Sequence, residues 1–334
     1  MKPTISLCIP TFNRAPLLRE ALERIGEQWA EDPQCSLELI VSDNASTDDT
    51  PQVLQEFAAK YTCFSLRVYR ACTNQGPDAN IYQAIKMAQG TFVYILSDDD
   101  ILLPGALKKL FCLIHRHSTL DGFCLNIKSF IHSPEEPTPV WFVLEEDTII
   151  TNCNNALELL RPAFLSVIAF RRTLVADFDY SDKIGTNLLQ SYLFLDVMAH
   201  NQGLYVTAQP FLAQRRDNTS GWNYYRVMAT GLSDWLAQAE KMGFSRSVVS
   251  RILGDHLRGN VFSSTLSFKL AGSGAGLAPS YANYFDGIQR LLKVYGPNPF
   301  LLLLVIPLML TPGFLLRGLR SFYKMLTTRY KYKK

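Results

Sequence analysis

Ser97-Asp98-Asp99-Asp100 stands at the end of the apolar run Phe92-Val93-Tyr94-Ile95-Leu96. Three successive carboxylates repel one another, so at the mouth of a buried strand they call for a cation, or a cation-bridged phosphate, to neutralise them. The chemistry they suit is a metal-diphosphate site. The plainer reading is a solvated turn in which Asp100 caps a helix that starts near Pro104. Three more polar loops follow apolar runs earlier in the chain: Thr11-Phe12-Asn13-Arg14, Ser42-Asp43-Asn44-Ala45-Ser46, and the stretch from Arg70 to Gly76.

The elements between these loops alternate. Ile5 to Ile9 is a short apolar strand stopped by Pro10, and Ala15 to Gln28 has the apolar spacing of a helix. Leu37 to Val41 is a second strand, Thr50 to Lys60 a second helix, and Phe64 to Tyr69 a third strand. Ala79 to Ala88 is a third helix, closed by Gly90 before the strand Thr91 to Leu96. Strands that are apolar on both faces and alternate with helices predict an α/β chain with a mainly parallel sheet covered on both faces. Such sheets bind ligands outside the carboxyl ends of their strands, which is where all four polar loops fall. That convergence weighs against the solvated turn.

Four motifs, in order, carry a resemblance: Ile9-Pro10-Thr11-Phe12-Asn13-Arg14; Val41 to Thr50; Asn74-Gln75-Gly76 with Asn80; and Leu96 to Asp100 with Pro104. The first hundred or so residues resemble the nucleotide-sugar-binding half of the family 2 glycosyltransferases, enzymes of the GT-A fold. The resemblance implies that Pro10, Thr11, Asn13, Arg14, Asn74, Gly76, Asn80 and Ser97 line the donor, with Thr11 at the base or ribose. It places Asp43 and Asn44 at the base, Asn44 standing where many relatives carry a second acid. Asp98 would accept from ribose hydroxyls. Asp99, with Asp100, would hold Mg²⁺ or Mn²⁺ across the two phosphates, although Ser97 replaces the first acid of the usual D-x-D.

On the acceptor side the pattern departs further. Relatives carry an acidic pair at the helix leading to a glycine such as Gly203, and one acid is the general base. Counting back reaches Leu189-Gln190-Ser191, with no carboxylate. Asp182 and Asp196 are the nearest substitutes, Asp182 on a loop being the better placed. The run Gly185 to Tyr192 resembles the abequosyltransferase-like O-antigen branch, in which Gln190 at the base position is unsurprising. Arg215-Arg216-Asp217-Asn218 with Trp222 falls where relatives have a loop that closes over the diphosphate.

Further along, Cys112 to Trp141 reads as strand-like and mixed, Ala156 to Leu160 starts a helix, Phe164 to Phe170 is strand-like, Asn187 to Asn201 is a helix and Leu204 to Ala208 a strand. The predicted organisation is a GT-A domain over 1–225 (donor half 1–105, acceptor half 106–225), a helical extension over 226–270, a linker and connecting helix over 271–298, and an apolar then basic segment over 299–334. Pro299 to Leu316 has the length of a membrane span, but Pro307 and Pro312-Gly313 interrupt it. Arg317, Arg320, Lys324, Arg329, Lys331, Lys333 and Lys334 follow with no acid among them. The expectation is a monotopic or peripheral element on anionic lipid, a true span or a buried core helix being the alternatives.

A net charge of +3 over 334 residues gives no ground for a nucleic-acid partner. The seven cysteines form no C-x-x-C pair and fall mostly in apolar runs, so they read as buried thiols of a reducing compartment. The N-terminus lacks an apolar signal region, which predicts a protein that is not exported. His115 and His117 do not share a helix face, and no G-x-G-x-x-G or serine elbow is present. The function expected is transfer of a sugar from a nucleotide diphosphate donor to a glycan, carried on a polyprenyl diphosphate lipid, at the cytoplasmic face of the inner or plasma membrane. The family implies inversion. A non-catalytic scaffold that keeps nucleotide binding, and a two-metal nucleotidyltransferase, are the rivals.

Overall fold

The structure, a computed structural model, describes residues 3–32, 36–62, 65–136, 138–160, 164–200, 202–215, 223–271 and 281–318. The chain forms two compact units, Met1–Asn218 and Thr219–Lys334. The first opens with β1 (Ile5–Thr11), α1 (Ala15–Glu31), β2 (Leu37–Asp43), α2 (Thr50–Lys60), β3 (Ser65–Arg70), α3 (Pro77–Met87) and β4 (Phe92–Ile95). It continues with β5 (Ile101–Leu102), α4 (Ala106–Arg116), β6 (Gly122–Phe130), β7 (Thr148–Ile150), α5 (Cys153–Leu160), β8 (Ile168–Arg171), α6 (Leu189–His200) and β9 (Leu204–Arg215).

One sheet runs in the order β3-β2-β1-β4-β8-β6-β9-β5, with β7 also paired to β9. β3, β2, β1 and β4 are parallel neighbours, as the βαβ alternation requires. Beyond β4 the sheet is mixed: β8 is antiparallel to β4 and β6, β6 is parallel to β9, and β5 and β7 are antiparallel to β9. α1 packs with α2 and α4, while α3 packs with α6 and α6 with α5. These are the helix groups that right-handed crossovers from a 3-2-1-4 strand order lay on opposite faces.

The structure corrects several expectations in the second half of this unit. Cys112 lies in α4, whose buried Leu107, Leu110, Leu113 and Ile114 form a helical stripe; the strand begins only at Gly122. β9 runs on past Ala208 to Arg215, held on both sides by β6, β5 and β7. Residues Leu165–Val167 form a short 3-10 turn before β8. Cys8 and Cys124 are buried, but Cys72 and Cys112 are exposed. Cys112 sits on the outer face of α4 and Cys72 in the loop after β3, so their apolar sequence neighbours did not enclose them. Cys35 and Cys63 lie outside the described residues.

The second unit is helical in its described parts: α7 (Leu232–Lys241), α8 (Arg246–His256), α9 (Phe262–Ala271), α10 (Tyr281–Tyr295) and α11 (Ile306–Leu310). A π-helical turn, Leu301–Val305, leads into α11. Leu301, Val305 and Met309, four residues apart, are fully buried in a core with Tyr225, Ala229, Leu257, Val261, Tyr284 and Leu291. Among the described residues no helix is long and apolar enough to cross a membrane. Lys269 closes this hairpin: its ammonium donates to the carbonyls of Met309 and Thr311 and lies 3.9 Å from the Tyr284 ring centroid. At Gly313 a Cβ would meet the Lys269 carbonyl at 2.8 Å, so the turn needs glycine. The Gly/Ser linker lies mostly outside the described residues, as does the basic run after Gly318.

Candidate functional site

The four polar loops do meet, and they are tied by hydrogen bonds between side chains from separate strands. At the end of β1, the Thr11 hydroxyl donates to Asp98 Oδ2 at 2.7 Å and Arg14 Nη1 donates to Asp98 Oδ1 at 2.9 Å. The same guanidinium nitrogen is 3.6 Å from Asp99 Oδ2. Ser97 donates to Asp99 Oδ1, and Ser166, just before β8, donates to Asp100 Oδ2 at 2.6 Å. Ser166 also accepts from the Ser97 amide at 2.9 Å, pinning the turn that presents the acids.

Charge is unbalanced there. Asp98, Asp99 and Asp100 are 2%, 8% and 1% exposed, and among the described residues Arg14 forms ion pairs with the first two. Burial, with the Asp99 charge added, pushes Asp98 up to about 6 despite Arg14. Burial and the Asp99 charge raise Asp100 well above the ordinary carboxyl range. Asp100 Oδ1 is buried with no hydrogen-bond partner among the described residues. The negative excess and the orphaned oxygen are what a divalent cation would relieve. Among the described residues, however, no three His, Cys, Asp or Glu side chains are arranged to hold a metal by themselves. The cluster therefore suits a cation whose remaining ligands arrive with a diphosphate.

The second part of the network faces the other loops. Asn80, in the first turns of α3, accepts from Ser42 at 2.6 Å and donates to the Thr11 carbonyl at 3.1 Å. Asn74 Oδ1 accepts from Asn44 and from the Gly76 amide, and Gly76 has φ +86°, a conformation glycine adopts without strain. Asn13, at φ +52°, turns the β1 loop so that its amide meets Ser46 and its side chain meets the Thr47 amide. Ala45 at φ +64° is strained, and the strain tightens the turn in which the Ser46 amide reaches Asp43 Oδ1. Pro10, at the end of the buried run of β1, pairs in register with Ser42.

Some expected roles need correcting. Asn44 is 3% exposed and its amide is largely spent within the protein: Nδ2 donates to Asn74 and the Gly76 carbonyl, and Oδ1 accepts from the Gln75 amide. It clamps two loops: both amide hydrogens are taken up within the protein, and Oδ1, which already accepts one bond, keeps a single lone pair for a base N–H. Arg215 is taken up by Glu20 on α1 and by the Phe130 ring, 4.7 Å from its guanidinium, because β9 ends against those residues. Arg216 and Trp222 lie outside the described residues. On the acceptor side, Asp182 pairs with Lys183 and is largely exposed, while Asp196, two turns into α6, accepts from Tyr180 at 2.9 Å. Burial raises the Asp196 carboxyl despite that bond. Gln190 is half-buried in the first turn of α6.

The sequence missed three participants. Arg70 at the end of β3 reaches the Ser46 carbonyl at 2.8 Å and lies 3.5 Å from Asp43. Asp43 and Arg70 line one end of a cavity of about 540 Å³ continued by Leu54, Tyr61 and Val68. Asp78 is 2% exposed and accepts from the amides of Gly185 and Asn187, both at 2.8 Å, and of Leu189 at 3.3 Å. It thus fixes the start of α6 to α3. Ser166 has no signal in sequence, being a serine in an apolar stretch 66 residues from its partner; Arg70 and Asp78 had the weak signal of a charge beside a polar loop.

This geometry agrees with what the chain resembles among known proteins. The model of glycosyl transferase family 2 matches residues 6–159. Those residues form a glycosyl transferase family 2 domain. Abequosyltransferase RfbV of Salmonella typhimurium is 28% identical over 232 residues, 65% of this chain and 68% of that one. A Campylobacter jejuni GalNAc(5)-diNAcBac-PP-undecaprenol beta-1,3-glucosyltransferase is 40% identical, but over 32% of this chain and 33% of its own. Staphylococcus aureus TarS with UDP superposes at TM-score 0.61 with 22% identity, over 87% of this chain and 81% of that one. The mannosyltransferase PcManGT of Pyrobaculum calidifontis, with GDP-Man and Mn²⁺, superposes at 0.52 with 19% identity. The fold is GT-A, and the family read from the four motifs is the family found.

Proposed function

We propose that the protein is an inverting, metal-dependent glycosyltransferase that moves a hexosyl or deoxyhexosyl group from a nucleoside diphosphate donor to a lipid-linked glycan. The observation that carries this reading is a set of three buried carboxylates after β4, two of them paired by Thr11 and Arg14 of a β1 loop that is itself hydrogen-bonded to the loop after β2, and through Asn44 to the loop after β3. Asp99, the most exposed of the three acids, would hold Mg²⁺ or Mn²⁺ jointly with the donor diphosphate. Bound there, the ion would supply Lewis-acid charge neutralisation of the leaving group. Thr11 and Arg14 hold Asp98 in place for the ribose, and Asp43 with Arg70 marks the base end.

In the transfer, the acceptor oxygen forms the new bond to the anomeric carbon as the bond to the phosphate oxygen breaks on the opposite side. The nucleoside diphosphate leaves, and the acceptor proton passes to a base. Gln190 carries no basic group, so this reading gives it the hydroxyl to orient and gives the proton to Asp182. RfbV, an abequosyltransferase, and the Campylobacter relative, whose acceptor is named as an undecaprenyl diphosphate glycan, support an O-antigen-type role. Incubating membranes with labelled nucleotide sugars tests the reading. Asp99→Ala should abolish incorporation; unchanged turnover would sink the metal role, and nucleotide binding without any turnover by the wild type would favour the scaffold.

The lipid partner has a surface to meet. Opposite the buried Leu301, Val305 and Met309, the side chains of Leu303 (74% exposed) and Phe314 (64% exposed) face solvent together with Leu302, Leu304 and Leu315. A basic sequence follows. Exposed apolar side chains followed in the sequence by a basic run that contains no acid suit interfacial attachment to anionic lipid at the cytoplasmic face. Leu303→Asp with Phe314→Asp should release the protein from phosphatidylglycerol vesicles; persistent co-sedimentation would contradict it.

A further inference from the structure

We infer that Trp141 and Phe164 form a stacking platform for a pyranose ring of the acceptor, an inference that rests on the glycosyltransferase reading and extends it. The two rings lie 5.5 Å apart, centroid to centroid, inclined at 52°. Trp141 is 48% exposed, and Phe164 half-buried. The indole thus offers part of its face to a ligand.

The platform is held firmly beside the acidic turn. The Trp141 amide donates to the Ile127 carbonyl at 2.9 Å. Its neighbour Phe142 is gripped at both backbone groups by the Asn126 side chain, at 2.8 and 3.0 Å. Phe164 stands two residues before Ser166, the serine bonded to both Asp100 and the Ser97 amide. Two extended residues span at most about 7 Å. The backbone of Phe164 therefore lies within about 7 Å of the serine that pins the turn carrying Asp99.

Strand order assigns the ligand. The loops after β1, β2 and β3 lie to one side of β4, whose end carries the carboxylates, and β8 and β6 lie to the other. The nucleotide loops occupy the first side. Trp141 and Phe164 belong to the second, where a molecule facing the anomeric carbon from across the diphosphate would sit. The C–H face of a pyranose is the part of a glycan that packs on an indole, while its hydroxyls remain solvated.

Saturation-transfer NMR tests this in the presence of UDP and diamagnetic Mg²⁺, with the methyl pyranosides of glucose, galactose, mannose, N-acetylgalactosamine and rhamnose as probes and geranyl monophosphate as the apolar comparison. The expected result is saturation of ring C–H protons of at least one pyranoside in the wild type and in Trp141→Phe. In Trp141→Ala that signal should fall about tenfold while UDP affinity stays within about twofold. Equal signals in Trp141→Ala, no pyranoside contacted by the wild type, or a Trp141-dependent signal from geranyl monophosphate alone would overturn the platform. Failure of the wild type to bind UDP or any other nucleoside diphosphate would instead overturn the donor reading.

Discussion

Asp78→Ala removes the carboxylate that the first turn of α3 offers to the loop ahead of α6. Two amides, Gly185 and Asn187, lose a 2.8 Å partner, and Leu189 loses a weaker one at 3.3 Å. Gly185 at φ +92° and Asn187 at φ +58° are left-handed, a loop shape that points successive amides at one acceptor. The two shorter bonds are part-buried; each hydrogen bond to a charged group that is lost costs about 1.5–3 kcal/mol, and removing a desolvated charge returns part of that. The net loss should be about 2–4 kcal/mol, or a fall in melting temperature of about 4–16 °C for a unit of this size. Asp78→Asn keeps one acceptor and should lose roughly half as much.

The pH dependence has a definite direction. Burial raises the Asp78 carboxyl above its ordinary value, although the amides of Asn187, Leu189 and Gly185 act against it. Between the ordinary value and the raised one, the native protein binds a proton that the unfolded chain has released, so this group's contribution falls as pH rises through that window. Asp78→Ala should lose that slope. Thermal melts across acid to neutral pH read both effects. A fall of less than about 2 °C, with the slope unchanged, would refute the reasoning, since it would mean that the α6 loop is held without Asp78.

Asp98, raised to about 6 by burial, works in the same sense: the ligand-free protein should gain up to about 3 kcal/mol as pH falls from above 6 toward the ordinary carboxyl value of 3.8, and Asp98→Asn should flatten that gain in melts without metal. Gly90→Ala should cost about 2–4 kcal/mol in chemical denaturation, because the new Cβ would meet the Ser6 amide at 2.6 Å and the Ile5 backbone carbon at 2.9 Å, neither of which can swing aside. Leu301→Ala should destabilise the helical unit by about 2–4 kcal/mol, whereas Leu303→Asp should leave its melting within about 2 °C while weakening vesicle binding. Deleting Pro299 to Lys334 would be a poor substitute for that pair, as it would strip Leu301, Val305 and Met309 from the core.

The donor half was legible in the sequence because local signals agreed there. The strands β1, β2 and β4 are short, largely apolar and buried, and β1 to β4 are separated by helices whose stripes are clear, so Thr11, Asp43, Asn80 and Asp98 could be assigned to one sheet edge before their contacts were known. What side chains do once they meet was less legible. Asn44 looks free to read a base in sequence, and it is largely consumed by Asn74, Gln75 and Gly76 from a loop thirty residues on. Arg215 looks like a phosphate ligand, yet Glu20 and Phe130 hold it. In the second half the helix α6 was legible as Asn187 to Asn201, whereas Cys112 read as strand-like although it lies within α4, and β9 runs on past Ala208 because it pairs with β5, β6 and β7. The apolar C-terminal run carried two meanings at once: one face fills a helical core, and the other is exposed.

Isothermal titration of the purified protein with UDP, GDP, CDP and dTDP, each with Mn²⁺ and again with EDTA, tests the central claim most directly. The account predicts that one nucleoside diphosphate binds in the presence of Mn²⁺ and that EDTA abolishes the binding. Binding of none of the four, or equal binding with and without the metal, would contradict it.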